Sequence, residues 1–166
     1  MNYKMIARFM SRILLMEAAF MLPALIISAV DGVRDAVFGF VCGILITLAV
    51  SAVMGLVSRN AQLKFYAREG LICVGLSWIV LSIMGCLPFV ISGEIPFFVD
   101  ALFETVSGFT TTGASILPEV EKLSRGILYW RSFTHWIGGM GVLVLTLALL
   151  PQLSSRTSHL VRAESP

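Results

Sequence analysis

DALFETVSGFTTTGAS runs from Asp100 to Ser115, between two long apolar runs. The segment from Pro96 to Phe109 that leads into its end is apolar and compatible with a helix. At about 14 residues it is too short to cross a bilayer, which suits a core helix or a re-entrant segment. Pro96 favours a helix start there, Asp100 and Glu104 share a face four residues apart, and Gly108 closes the apolar periodicity. Thr110, Thr111 and Thr112 then form a β-branched run, which opposes helix and favours extended backbone. Gly108 and Gly113 flank it and permit backbone angles closed to other residues. The local expectation is a short helix, a turn and an extended polar strand.

Working outward, the flanks are made of charge-free runs. Ala36 to Val57 and Gly70 to Gly93 contain no charged residue, nor does Ser132 to Ser155. Ile13 to Val30 is interrupted only by Glu17 and Pro23. A spanning helix needs about 20 mostly apolar residues, so four spans are expected. The basic prelude Lys4, Arg8 and Arg12 has the look of a signal-peptide start. The length of the first run and the closeness of the second favour an uncleaved span. Composition agrees: 57% of the 166 residues are hydrophobic and 13% charged, against about 25% charged in soluble domains.

Basic residues orient the chain. With the N-terminus inside, the cytoplasmic segments hold Lys4, Arg8, Arg12, Arg59, Lys64, Arg68, Arg156 and Arg162, and the outer ones hold Arg34, Lys122 and Arg125. That bias follows the positive-inside rule. The net charge of +2, without a basic aromatic-rich run, gives no footing to a nucleic-acid partner; the bilayer is the partner that composition implies.

Extended polar backbone at membrane depth is tolerated only where protein buries it or a watery cavity bathes it. Rings of backbone carbonyls, helped by threonine hydroxyls, replace the water of a potassium ion in selectivity filters. The Thr-Thr-Thr-Gly run offers such a row, below a short helix whose negative C-terminal end favours a cation. By spacing alone, a polar outer loop capped by a glycine turn is the better-supported reading. Arg131, a few residues into the last span, is expected to pair with Glu104 or Asp100, or else to reach the outer headgroups. Gly138, Gly139 and Gly141 thin one side of that span, and Gly39 with Gly43 gives the second span a small-residue face. Tyr129, Trp130 and Trp136 suit an interfacial belt. The cysteines Cys42, Cys73 and Cys86 lie in apolar runs and read as buried side chains. His135 and His159 have no companion ligands at metal spacing. Ser107, Ser115 and His135 supply the residue types of a Ser–His pair, but no nucleophile elbow is present and no enzyme is expected.

DALFETVSGFTTTGAS, together with ILYWRSFTHWIGGMGVLVL from Ile127 to Leu145, resembles the first repeat of a TrkH-type subunit of the Trk/Ktr/HKT superfamily of potassium-uptake proteins. The resemblance implies an all-α membrane protein, with two N-terminal transmembrane helices followed by one potassium-channel-like helix–pore loop–helix repeat. It implies three parts: a helix pair in residues 1–66, the repeat in residues 67–155, and a cytoplasmic tail in residues 156–166 where truncation is expected. In that frame Asp100 to Phe109 is the pore helix, supported by Asp100, Glu104 and Arg131, and Gly138, Gly139 and Gly141 mark the inner helix. Thr110, Thr111, Thr112, Gly113 and Ala114 form the filter, with potassium held by the carbonyls of Thr111, Thr112 and Gly113. Potassium is then the transported ligand, with no covalent cofactor. The family carries four such repeats and this chain one, so three further repeats or other copies must close a pore. A fragment or accessory subunit that does not itself transport is the competing expectation. The family also implies a homodimer in the cytoplasmic membrane and a cytosolic nucleotide-binding regulatory subunit.

Overall fold

The computed structural model describes residues 3–59 and 67–141. Among them every regular element is helical: α1 (Tyr3–Val30), α2 (Arg34–Val57), α3 (Ala67–Gly85), α4 (Leu87–Ile91), α5 (Phe98–Phe109) and α6, helical over residues 125–141. A 3-10 turn at Val120–Lys122 sits in the loop before α6. Among the described residues three segments are long and apolar enough to cross a membrane: Tyr3–Val30, Arg34–Val57 and Ile72–Ile91. The fourth expected span begins within α6, and its residues 142–155 lie outside the described ones. So does the 156–166 tail.

α1 starts ten residues before the first charge-free run, at Tyr3 rather than Ile13, so the prelude of Lys4, Arg8 and Arg12 is itself helical. Basic side chains extend an apolar helix into the headgroup zone without breaking it. α1 and α2 form a hairpin turned at Asp31–Val33. Val33 N–H donates to Ser28 O and Gly32 N–H to Ala29 O, with Gly32 in the left-handed region at φ +71°. This is a helix C-terminal motif whose αL position favours glycine. Lower down, Ser11 Oγ donates to Ser51 O at 2.8 Å and Ser51 Oγ donates to Ser11 O at 2.7 Å. Such reciprocal bonds hold helices together where lipid removes any hydrophobic drive between them.

The third span is broken. α3 ends at Gly85, Cys86 intervenes, and α4 begins with Pro88 in its first turn. Phe89 N–H turns to Cys86 O, so Gly85 O takes another donor. Trp130 Nε1–H of α6 supplies it at 2.8 Å. Trp130 is fully buried by this contact, a correction to its expected place in an interfacial belt; Trp136, by contrast, is exposed. A buried indole needs a partner for its N–H, and here a helix break provides one. The small face of α2 is used as expected for packing: side chains on Gly39 or Gly43 would run into Pro88 of α4. Met21, Phe40, Phe89, Ile127 and Trp130 fill the core between these helices.

Candidate ion-binding loop

α5 begins at Phe98, with Phe97 as its N-cap, so Pro96 lies just ahead of the helix rather than in its first turn. Asp100 falls in that first turn, where a carboxylate complements the helix dipole. Gly108 does not end the helix as its spacing implied. The helix runs through Phe109 because Gly108 is needed inside it: a Cβ there would collide with Thr134 Oγ1 of α6. Gly138 plays the same part from the other side, since a Cβ on it would collide with the Phe109 carbonyl. α5 and α6 therefore meet backbone to side chain, with no room to spare.

The end of α5 repeats the motif of the α1–α2 turn. Thr111 N–H donates to Gly108 O at 2.9 Å and Thr112 N–H donates to Ser107 O at 3.0 Å. Thr111 occupies the position that Gly32 holds in the hairpin, at φ +58°. For a β-branched residue that is an outlier, costing on the order of 1–3 kcal/mol unless its surroundings fix it. Gly113 follows at φ +74°. The expected extended strand is thus corrected at its start: Thr110 is still right-handed and Thr111 left-handed. The α5 carbonyls, short of helical donors, recruit the threonine N–H groups and overrule the β preference of the side chains.

Side chains then fix the loop. Thr110 Oγ1 bonds Val106 O at 2.7 Å and the Thr112 hydroxyl at 2.8 Å. Ser107 Oγ donates to Ala114 O at 2.6 Å. Glu104, whose side chain has no exposed surface, accepts from Ser115 Oγ, from Ile116 N–H at 2.8 Å and from Arg131 Nε at 2.9 Å. Of the two partners foreseen for Arg131, the structure selects Glu104. Burial pushes the Glu104 carboxyl upward; the hydrogen bonds from Ser115, Arg131 and Ile116 and the guanidinium charge outweigh it and hold the group below its ordinary value. His135 Nδ1 lies 3.0 Å from Arg131 O. Since Ser107 and Ser115 bond Ala114 and Glu104, neither serine hydroxyl is bonded to the imidazole.

The outcome is an exposed loop, Thr110 to Ser115, held rigidly from behind. Ala114 O is taken by Ser107, whereas no hydrogen bond among the described residues ends on the carbonyls of Thr111, Thr112 or Gly113. Gly139 faces this loop from α6, 3.9 Å from the Thr111 methyl by a built Cβ, and Gly141 packs against Trp78. Among the described residues no cluster of His, Cys, Asp or Glu could hold a metal. Two features went unread in the sequence. Ser107 and Ser115 are structural ties, visible only once the loop folds back on the helix. Glu94 accepts from Ser124 N–H at 2.8 Å and from its hydroxyl, and so caps the start of α6.

The model of the TrkH family, described as a cation transport protein, matches residues 37–166. The chain belongs to this family. Its relatives include the Trk system potassium uptake protein TrkH of Halomonas elongata, 37% identical over all of this chain and 34% of that protein. TrkH of Escherichia coli K12 is 41% identical over 73% of this chain and 25% of its own length. The crystal structure of the potassium transporter TrkH from Vibrio parahaemolyticus superposes with a TM-score of 0.76. It is 34% identical, covering 91% of this chain and 32% of that one. The chain thus spans about a third of the length of the TrkH relatives it matches. As a TrkH-family chain with three candidate spans, it is a multi-pass membrane protein.

Proposed function

We propose that this chain takes part in potassium uptake across the cytoplasmic membrane, supplying one side of a selectivity filter with Thr110 to Ala114. The observation that carries the reading is the row of uncommitted carbonyls at Thr111, Thr112 and Gly113 on a loop pinned by Glu104, Arg131 and Ser115. An ion surrenders its hydration shell only to oxygens held at fixed places, and such a brace is what fixes them. The relatives named above are potassium uptake proteins, which supports potassium as the cargo. Asp100, with the rest of α5, stands behind the loop; Gly138 and Gly139 let the inner helix pass close beneath it, and Gly141 seats the same helix against Trp78. The bias of the basic residues supports an orientation with the N-terminus in the cytoplasm. Oxygens on the remaining sides come from further repeats or further copies. A homodimer and a cytosolic nucleotide-binding subunit are the partners the family implies.

The test is growth of a potassium-uptake-deficient host at limiting potassium. The whole coding sequence that carries this segment restores growth, and Gly113→Asp abolishes it while the protein still reaches the membrane. Unimpaired growth of the variant refutes the assignment of the loop. The share of the relatives' length covered favours a second reading, in which this segment alone does not transport and packs with the rest of the protein. Expressing residues 1–166 by themselves separates the two, because restored growth excludes that reading.

A further inference from the structure

Glu17 stands midway along the apolar helix α1 and is 2% exposed. Neither of its carboxylate oxygens has a hydrogen-bond partner, and none of the ion pairs among the described residues reaches it. Oε1 lies against Gly85, 3.0 Å from where a Cβ would stand. A carboxylate withdrawn from water without a partner is costly, and charged groups inside membrane spans ordinarily pair.

Glu17 also lines a cavity of about 550 Å³ between α1, α3 and α6, inside the range of roughly 300–1,000 Å³ typical of small-molecule sites. Of the described residues lining it, Glu17 alone is charged. Phe9, Phe20, Trp78 and Phe109 give it aromatic walls. None of Thr110 to Ala114 reaches it, so it is separate from the loop described above.

We propose that this cavity binds a lipophilic organic cation, such as a quaternary ammonium or phosphonium group, with Glu17 as its counter-charge. Aromatic faces attract such cations, and the apolar volume accepts their hydrocarbon groups. An inorganic cation finds no oxygen cage here. The lining hydroxyl of Ser77 is already bonded to Val74 O at 2.7 Å. A neutral acyl chain fills the space but leaves Glu17 uncompensated, and an anion is repelled. The carboxylate oxygens are buried, with Oε1 against Gly85, so a charge there acts across apolar surroundings where screening is weak. Met16 and Met140, both exposed, flank the entrance with flexible side chains.

The experiment measures equilibrium binding to the full-length protein in nanodiscs. The probes are tetraphenylphosphonium, the equally shaped tetraphenylborate anion and neutral tetraphenylmethane. The phosphonium is expected to bind best, with Glu17→Gln weakening it by about tenfold or more and leaving the neutral probe unchanged. Val74→Trp fills the cavity with the charge intact and should abolish binding of all three, which keeps the test open if the Gln variant misfolds. Equal binding of cation and anion, or a cation affinity untouched by Glu17→Gln, overturns the proposal. So does carbodiimide modification of Glu17 that the phosphonium fails to slow, which makes a proton the occupant.

Discussion

Replacing Glu104 by Gln removes one charge and one acceptor from the centre of the brace. In the native arrangement the carboxylate receives three donors, Ser115 Oγ, Ile116 N–H and Arg131 Nε. The Gln amide has a single acceptor oxygen. Turned toward Ser115 and Ile116, it sets an NH2 against the guanidinium; turned toward Arg131, it strands the other two donors. Breaking a buried pair from one side costs about 3–5 kcal/mol. Arg131 retains 14% exposure, which places the expectation near the lower end, about 3 kcal/mol. The pair is assayed by reversible denaturation in detergent of the wild type, Glu104→Gln, Arg131→Gln and the double variant. The double variant is expected to lose less than the sum of the two, by at least about 1 kcal/mol. Strict additivity, or a Glu104→Gln cost below about 0.5 kcal/mol, would falsify the brace.

The depressed Glu104 carboxyl also predicts a pH dependence. Its folded value lies below the unfolded one. The stabilisation is therefore complete above the unfolded value and is lost as pH falls through the folded value. Hydrogen exchange at Ile116 should stay slow through mildly acidic pH and speed up only beyond it, whereas Glu104→Gln should show no such acid step. Gly138→Ala drives a methyl into the Phe109 carbonyl and should cost about 1–3 kcal/mol or more, seen as a lower melting temperature on size-exclusion. Thr111→Gly relieves the left-handed strain and should stabilise by about 0.5–1 kcal/mol; a lower melting temperature there contradicts the strain. Ser11→Ala with Ser51→Ala removes the reciprocal α1–α2 bonds and should cost about 1 kcal/mol in all, at roughly 0.6 per interhelical bond.

Charge-free length placed the second span at Ala36 to Val57, and α2 differs only in starting two residues earlier, at Arg34, through the charged Arg34 and Asp35. The short helix before the threonines was legible from its apolar length and from Pro96, and Arg131 as a partner for Glu104 or Asp100 from the tendency of charges within membrane spans to pair. What escaped reading depended on contacts between segments far apart in sequence. At the break, the carbonyl of Gly85 is satisfied by Trp130, 45 residues away; Pro88 marks the break locally, but nothing local announces the partner. The start of the threonine run was misread because β propensity describes a half-buried pleated surface. Thr111 sits at a helix end whose carbonyls demand donors, and that local demand prevails.

Gly138 and the Phe109 carbonyl touch without an intervening side chain. Most helix pairs are cushioned by rotamers that yield before the backbone does. Here α6 rests directly on the backbone of the last turn of α5, whose carbonyls anchor Thr111 and Thr112. The loop oxygens and the described part of α6 then behave as one mechanical part, so the position of that helix and the spacing of the loop carbonyls cannot be adjusted independently.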